Sequence, residues 1–90
     1  MAKILYVDGS TKDVEPLNGT DFSLKELRDI VGGYVEIVRL RHNPNHHKSI
    51  LIVNEESWVL DNPGYNKWAS DLYGDVIVGT VFYCNERQVR

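Results

Sequence analysis

The side chains best equipped for chemistry crowd into one stretch of the chain. Between Ile37 and Val53 there is no acidic residue, and the segment carries Arg39, Arg41, Lys48 and all three histidines, His42, His46 and His47. Arginines two residues apart point to one face of an extended strand. A guanidinium is a planar, two-pronged donor that suits phosphate or carboxylate. Arg39, Arg41, His46, His47 and Lys48 therefore read as a surface for a small anion or an acidic partner. The plainer reading is a solubilising hairpin whose charges complement the acidic body of a neighbouring copy. A zinc site would need ligands converging at about 2 Å on a defined scaffold. These histidines flank Pro44 with no cysteine or carboxylate nearby in sequence, so no metal is expected, nor any other cofactor.

The carboxylates offer less. Glu55 and Glu56 are adjacent and would face opposite ways in an extended chain, so they do not form a two-carboxylate site alone. Glu36 follows Gly32-Gly33 inside an apolar stretch, where it must face solvent or find a partner; an ion pair is the expectation. Asp8-Gly9-Ser10-Thr11-Lys12 lacks the spacing and the following helix of a Walker loop. Ser10 and Ser49 have no motif context. Cys84, the single cysteine, ends an apolar run and reads as a buried thiol, with no intramolecular disulfide to form. No catalytic residue stands out.

At 90 residues and 42% hydrophobic composition, the chain reads as one globular domain, too small to enclose a deep private cleft. A site would lie on the surface or between subunits. The acid-free segment takes three of the 10 lysines and arginines, leaving 7 among all 13 acidic residues. The result is an acidic body with one basic projection. One basic hairpin neutralises few phosphates, which disfavours nucleic acid. The apolar part of the N-terminal run is too short for a signal peptide, and no stretch approaches the roughly 18 apolar residues of a membrane span. A cytoplasmic protein without membrane association is expected.

Local signals indicate the elements that must position these groups. Residues 3–8 predict a strand ending at the turn Asp8-Gly9-Ser10. Residues 14–17 predict a second strand paired with it, held to an edge by Pro16. Ser23-Leu24-Lys25-Glu26 is a capping box, with Phe22 and Leu27 placed for a hydrophobic staple. Leu24, Leu27, Ile30 and Val31 share one helical face, and Gly32-Gly33 stops the helix. Residues 34–41 and 49–54 predict a hairpin with a long, solvated tip. A short strand over 58–60, a helix over 66–73 and a central strand over 76–83 complete the order. Trp68, Ala69, Leu72 and Tyr73 share a face of that second helix. The fold class is α+β, a single domain over 1–90 in the order ββαββ(β)αβ. Its sheet is mixed or antiparallel, with two short helices packed on it.

Three stretches carry a resemblance. The run from Leu27 through Val31-Gly32-Gly33-Tyr34-Val35-Glu36 resembles the helix, V-G-G-Y-I-E, strand core of a small family catalogued as domain of unknown function 3846. Val53-Asn54-Glu55-Glu56 resembles that family's v-n-E-e turn. Asn66 through Ala69, then Tyr73 through Val81, resembles its N-x-x-A … D-x-I-x-G-T ending. The family commonly has a glycine-lysine turn after the two acids, where this chain has Ser57-Trp58. The resemblance implies a phage, plasmid or other mobile-element context rather than a chemistry.

The functional expectation is a non-enzymatic binding protein of phage type that antagonises a host defence system. It would bind a host protein or a small anionic, nucleotide-like ligand. A nucleotide-processing enzyme or regulatory subunit, and a nucleic-acid-binding accessory protein, remain as alternatives. Besides the hairpin, a second contact surface is expected at Tyr34, Glu36, Asn54 and Glu55, where the Gly-Gly and Asn-Glu-Glu turns follow their elements. Trp58, Tyr65 and Trp68 exceed what so small a core can bury. They form either a partner or homodimer patch or an aromatic mini-core beneath the second helix.

Overall fold

Helix α1 begins where its capping residues require. The Ser23 hydroxyl accepts from the Glu26 N–H at 3.2 Å, and the Glu26 carboxylate accepts from the Ser23 N–H at 2.9 Å. Two of the donors a helix start leaves orphaned are thereby satisfied. In the computed structural model, which describes residues 2–46, 48–56 and 64–89, α1 spans Leu24–Val31. It ends at Gly32 in the left-handed conformation, φ 82°, which a Cβ would disfavour. Leu27 and Val31 are buried, whereas Leu24 is 49% exposed and leaves the apolar face assigned to it. Helix α2, Lys67–Tyr73, is capped by Asn66 and closed by Gly74.

The strands are β1 Ala2–Leu5, β2 Thr11–Val14, β3 Val35–Arg39, β4 Ser49–Asn54 and β5 Val81–Asn85. They form one sheet in the order β2-β1-β5-β4-β3, every neighbouring pair antiparallel. This is the expected α+β architecture. Side chains alternate across the pleat, so each face carries its own core. Ile50, Ile52, Phe82 and Cys84 meet Phe22, Leu27 and Val31 on the α1 side, with the Phe22 and Phe82 rings edge-to-face at 4.7 Å. Leu51, Val53, Val81 and Leu5 meet Ala69, Leu40 and Ile77 on the α2 side. Burial pushes the Cys84 thiol up to about 12, consistent with an inert core residue.

Several boundaries differ from the sequence expectation. The first strand stops at Leu5. Ser10 then donates both its N–H and hydroxyl to the Asp8 carboxylate and closes the turn, which holds that carboxyl below its ordinary value. The second strand precedes Pro16 rather than containing it, because beyond Val14 the chain turns. Gly19 N–H meets the Pro16 carbonyl, and Leu17 N–H is taken by Glu26. The last strand starts at Val81, not at 76. Residues before it wrap around α2, with Asn66 N–H on the Ile77 carbonyl and Gly79 N–H on the Gly64 carbonyl. The strand is central, as its two apolar faces imply. The strand expected over 58–60 lies outside the described residues. Among the described residues, no helix is long and apolar enough to cross a membrane.

Candidate functional site

The acid-free hairpin folds back against α2, although Arg41, His42, Pro44, Asn45 and Lys48 stay exposed at its tip. Strand β3 ends at Arg39, and the next residue, Leu40, is fully buried. That anchor pulls the chain inward through successive turns, Asn43 N–H to Leu40 carbonyl, His46 N–H to Asn43 carbonyl and Ser49 N–H to His46 carbonyl. His42 Nε2 lies 2.6 Å from the Tyr73 carbonyl, and Asn43 Nδ2 donates to the Leu72 carbonyl at 3.2 Å. Both carbonyls belong to the last turn of α2, whose acceptors have no partner within the helix. The tip is thus a cap for α2 rather than a finger. Its arginines do not share a strand face, since Arg41 lies in the turn. Arg39 is neutralised by the protein's own Glu86 at 3.5 Å. Arg41 and Lys48 are exposed and have no carboxylate partner among the described residues. His47 lies outside the described residues. No group of metal-ligating side chains gathers among the described residues.

His46 points elsewhere. Its Nδ1 lies 2.9 Å from the Tyr83 hydroxyl, which also lies 3.0 Å from Ser49 Oγ. His46 and Tyr83 form one rim of a groove of about 370 Å³ between α2 and the sheet, lined also by Lys3, Leu5, Thr11, Trp68 and Leu72. The floor is apolar because Leu5 and Leu72 belong to the α2-side core. The Trp68 indole is 52% exposed yet fixed, its Nε1–H donating to the Gly9 carbonyl at 2.8 Å. Lys3 supplies a cation held 3.4 Å from Asp13. The groove joins His46 and Trp68, which sequence reasoning had assigned to two separate surfaces. Tyr83 and Lys3 were missed, being hidden in apolar strand sequence. The patch expected from Trp58, Tyr65 and Trp68 is divided. Tyr65, 53% exposed, lines a different cavity with Asp71 and Asp75, and Trp58 lies outside the described residues.

The second expected surface is assembled by the β3–β4 ladder. Val35 pairs with Asn54 and Glu36 with Val53, and Glu55 N–H donates to the Tyr34 carbonyl at 2.9 Å. Asn54 is buried there, its Nδ2 donating to the Val31 carbonyl at the end of α1 and its Oδ1 accepting from Glu56 N–H. A Cβ on Gly33 would stand 2.9 Å from Asn54 Nδ2, so a larger residue there would have to displace the Asn54 amide. Around Asn54 opens a cavity of about 390 Å³ bounded by Arg28, Gly33, Tyr34 and Glu56. The Arg28 guanidinium lies 5.1 Å from the centre of the exposed Tyr34 ring, within cation–π range. Glu36 is exposed without the ion pair expected for it among the described residues. Glu55 is likewise exposed.

Both turns that carried the resemblance thus converge at Asn54, and the third stretch, from Asn66 to Val81, forms α2 and its surrounding loop. No curated protein and no solved structure gives a significant match to the chain. A family model matches residues 2–89, so the chain belongs, over nearly its whole length, to the family described as Domain of unknown function (DUF3846).

Proposed function

We propose that the protein is a small, non-catalytic binding protein of phage or mobile-element type, working in the host cytoplasm to capture a small anionic, nucleotide-like ligand and so blunt a defence response. The observation that carries this reading is the groove beside α2. A fixed, half-exposed indole offers a stacking surface for a base, and base–aromatic stacking is worth about 1–3 kcal/mol. His46 and the Tyr83 hydroxyl lie on the rim as hydrogen-bonding groups for a charged group, beside Lys3, whose charge is shared with Asp13. An apolar floor with few convergent polar groups is the usual character of a small-molecule site. The mobile-element context rests on the family resemblance, and it is an analogy of setting rather than of chemistry.

Titration calorimetry against a panel of mono-, cyclic and dinucleotides tests it. Stoichiometric binding is expected for at least one member, weakened about tenfold or more by Trp68→Ala and measurably by Tyr83→Phe. Absence of binding across the panel, or binding indifferent to Trp68→Ala in a folded protein, would sink the reading. The polar chain His46–Tyr83–Ser49 favours a second reading, a nucleotide-processing enzyme. Consumption of a nucleotide at sub-stoichiometric protein would establish that reading and remove the first.

A further inference from the structure

We infer that the outer edge of β3, which pairs with no other strand among the described residues, is the docking surface for a second copy of this chain, giving one continuous antiparallel sheet through both copies. Its outward hydrogen-bonding groups follow from the ladder. In an antiparallel pair, opposed residues alternate between those that exchange hydrogen bonds and those that do not. Glu55 N–H bonds the Tyr34 carbonyl and Leu40 N–H bonds the Ser49 carbonyl. The register between them therefore turns the backbone groups of Tyr34, Glu36, Val38 and Leu40 toward β4. Those of Val35, Ile37 and Arg39 point away from the sheet.

An exposed edge of this kind is a template for another strand unless it is blunted. The opposite edge is blunted. Strand β2 is short, all but Val14 exposed, carries Lys12 and Asp13, and is followed by Pro16. Strand β3 has no proline and no bulge in its register, and it presents Ile37 at 44% exposure.

The occupant follows from the distribution of charge along the edge. The β3 start lies beside Glu36, Glu55 and Glu56, with Arg28 over Tyr34, whereas its end lies beside Arg39, Arg41 and Lys48, with Glu86 on Arg39, so the start keeps an acidic excess and the end a basic one. Antiparallel pairing about a two-fold axis through Ile37 lays the acidic end of one copy against the basic end of the other. In that register Ile37 faces Ile37 of the second copy, and the outward groups of Val35 meet those of Arg39. Shifting the pairing so that Glu36 opposes Glu36, or Arg39 opposes Arg39, sets like charges face to face, which is unfavourable. The isologous arrangement satisfies the whole exposed row at once.

Sedimentation equilibrium between about 10 µM and about 1 mM tests this, a range suited to a modest interface. The wild type is expected to pass from monomer to dimer. Ile37→Pro removes an N–H that β4 does not use, a substitution edge strands accept, and Ile37→Lys places like charges on the axis. Each is expected to weaken association about tenfold or more while leaving the circular dichroism spectrum unchanged. A wild type that stays monomeric at about 1 mM, or folded variants that dimerise as tightly as wild type, overturns the inference. Should either variant unfold, hydrogen exchange on the wild type decides. The amides of Val35, Ile37 and Arg39 are expected to be protected at high concentration and to lose protection on dilution. Rapid exchange of these amides in a dimeric sample overturns it equally.

Discussion

Replacing Asn66 by alanine should cost this protein a large part of its stability. The side chain is fully buried. Its Oδ1 caps α2 by accepting from Ala69 N–H at 3.1 Å, and its Nδ2 donates to the Leu5 carbonyl at 2.9 Å and the Gly79 carbonyl at 2.8 Å. Loss of the cap costs about 1 kcal/mol. Each carbonyl left without its donor costs a further 1 kcal/mol or so, and more for the buried Leu5 group. Together the loss is about 3–4 kcal/mol, against a total of roughly 5–13 kcal/mol for a domain of this size. In a melt this is a fall of about 12–30 °C. Urea titration of Asn66→Ala and Asn66→Asp separates the two roles. Aspartate caps a helix as well as asparagine does, but it has no donor for the Leu5 and Gly79 carbonyls and sets a charge against them. Asn66→Asp should therefore be at least as damaging as alanine. An aspartate variant within about 1 kcal/mol of wild type would show that the cap alone matters and would refute the role assigned to the amide.

Gly33→Ala should force Asn54 off the Val31 carbonyl and cost about 1–2 kcal/mol by thermal or urea unfolding, with little added penalty once Asn54 is already alanine. Cys84 should resist Ellman's reagent in the native protein at pH 8 and react fully in denaturant; prompt native reaction would contradict its place in the core. The same thiol, raised from 9.0 to about 12 by burial, stays protonated in the folded state where the unfolded state has ionised. Its contribution to stability is therefore intact below pH 9 and should fall as pH rises from about 9 toward 12, a slope that Cys84→Ala removes. His42→Ala should loosen the hairpin tip from α2, seen as faster exchange of the Asn43 and His46 amides, with less than about 1 kcal/mol lost overall because the site is exposed.

What was legible in the sequence was local. The Ser23–Glu26 box announced α1 because both partners lie within one turn, and β4 was recognisable over its full length because a run of branched side chains between polar residues admits few other structures. Pro16 misdirected the second strand, since its missing N–H sets where pairing must stop rather than where it occurs. Residues 76–80 have strand composition, yet Ser70 Oγ and Asn66 take up the backbone groups of Ile77. A tertiary partner thereby overrode propensity. The groove was out of reach for the same reason. His46 meets Tyr83 across 37 positions of chain, and Trp68 meets Gly9 across 59. No spacing rule links such pairs. The docked hairpin tip belongs with them, because its acceptors are carbonyls at the end of a helix not yet met in the chain.

Strand β5, the last of the five along the chain, is seated between β1 and β4. As the polypeptide is synthesised, two separate hairpins, β1–β2 and β3–β4, therefore emerge with their inner margins unzipped and nothing to join them. Neither is expected to persist alone, and closing β1 onto β5 must wait while a loop of most of the domain is drawn shut. Removing residues 81–89 should leave a chain that never acquires a cooperative melting transition, however well its α1 capping box is preserved.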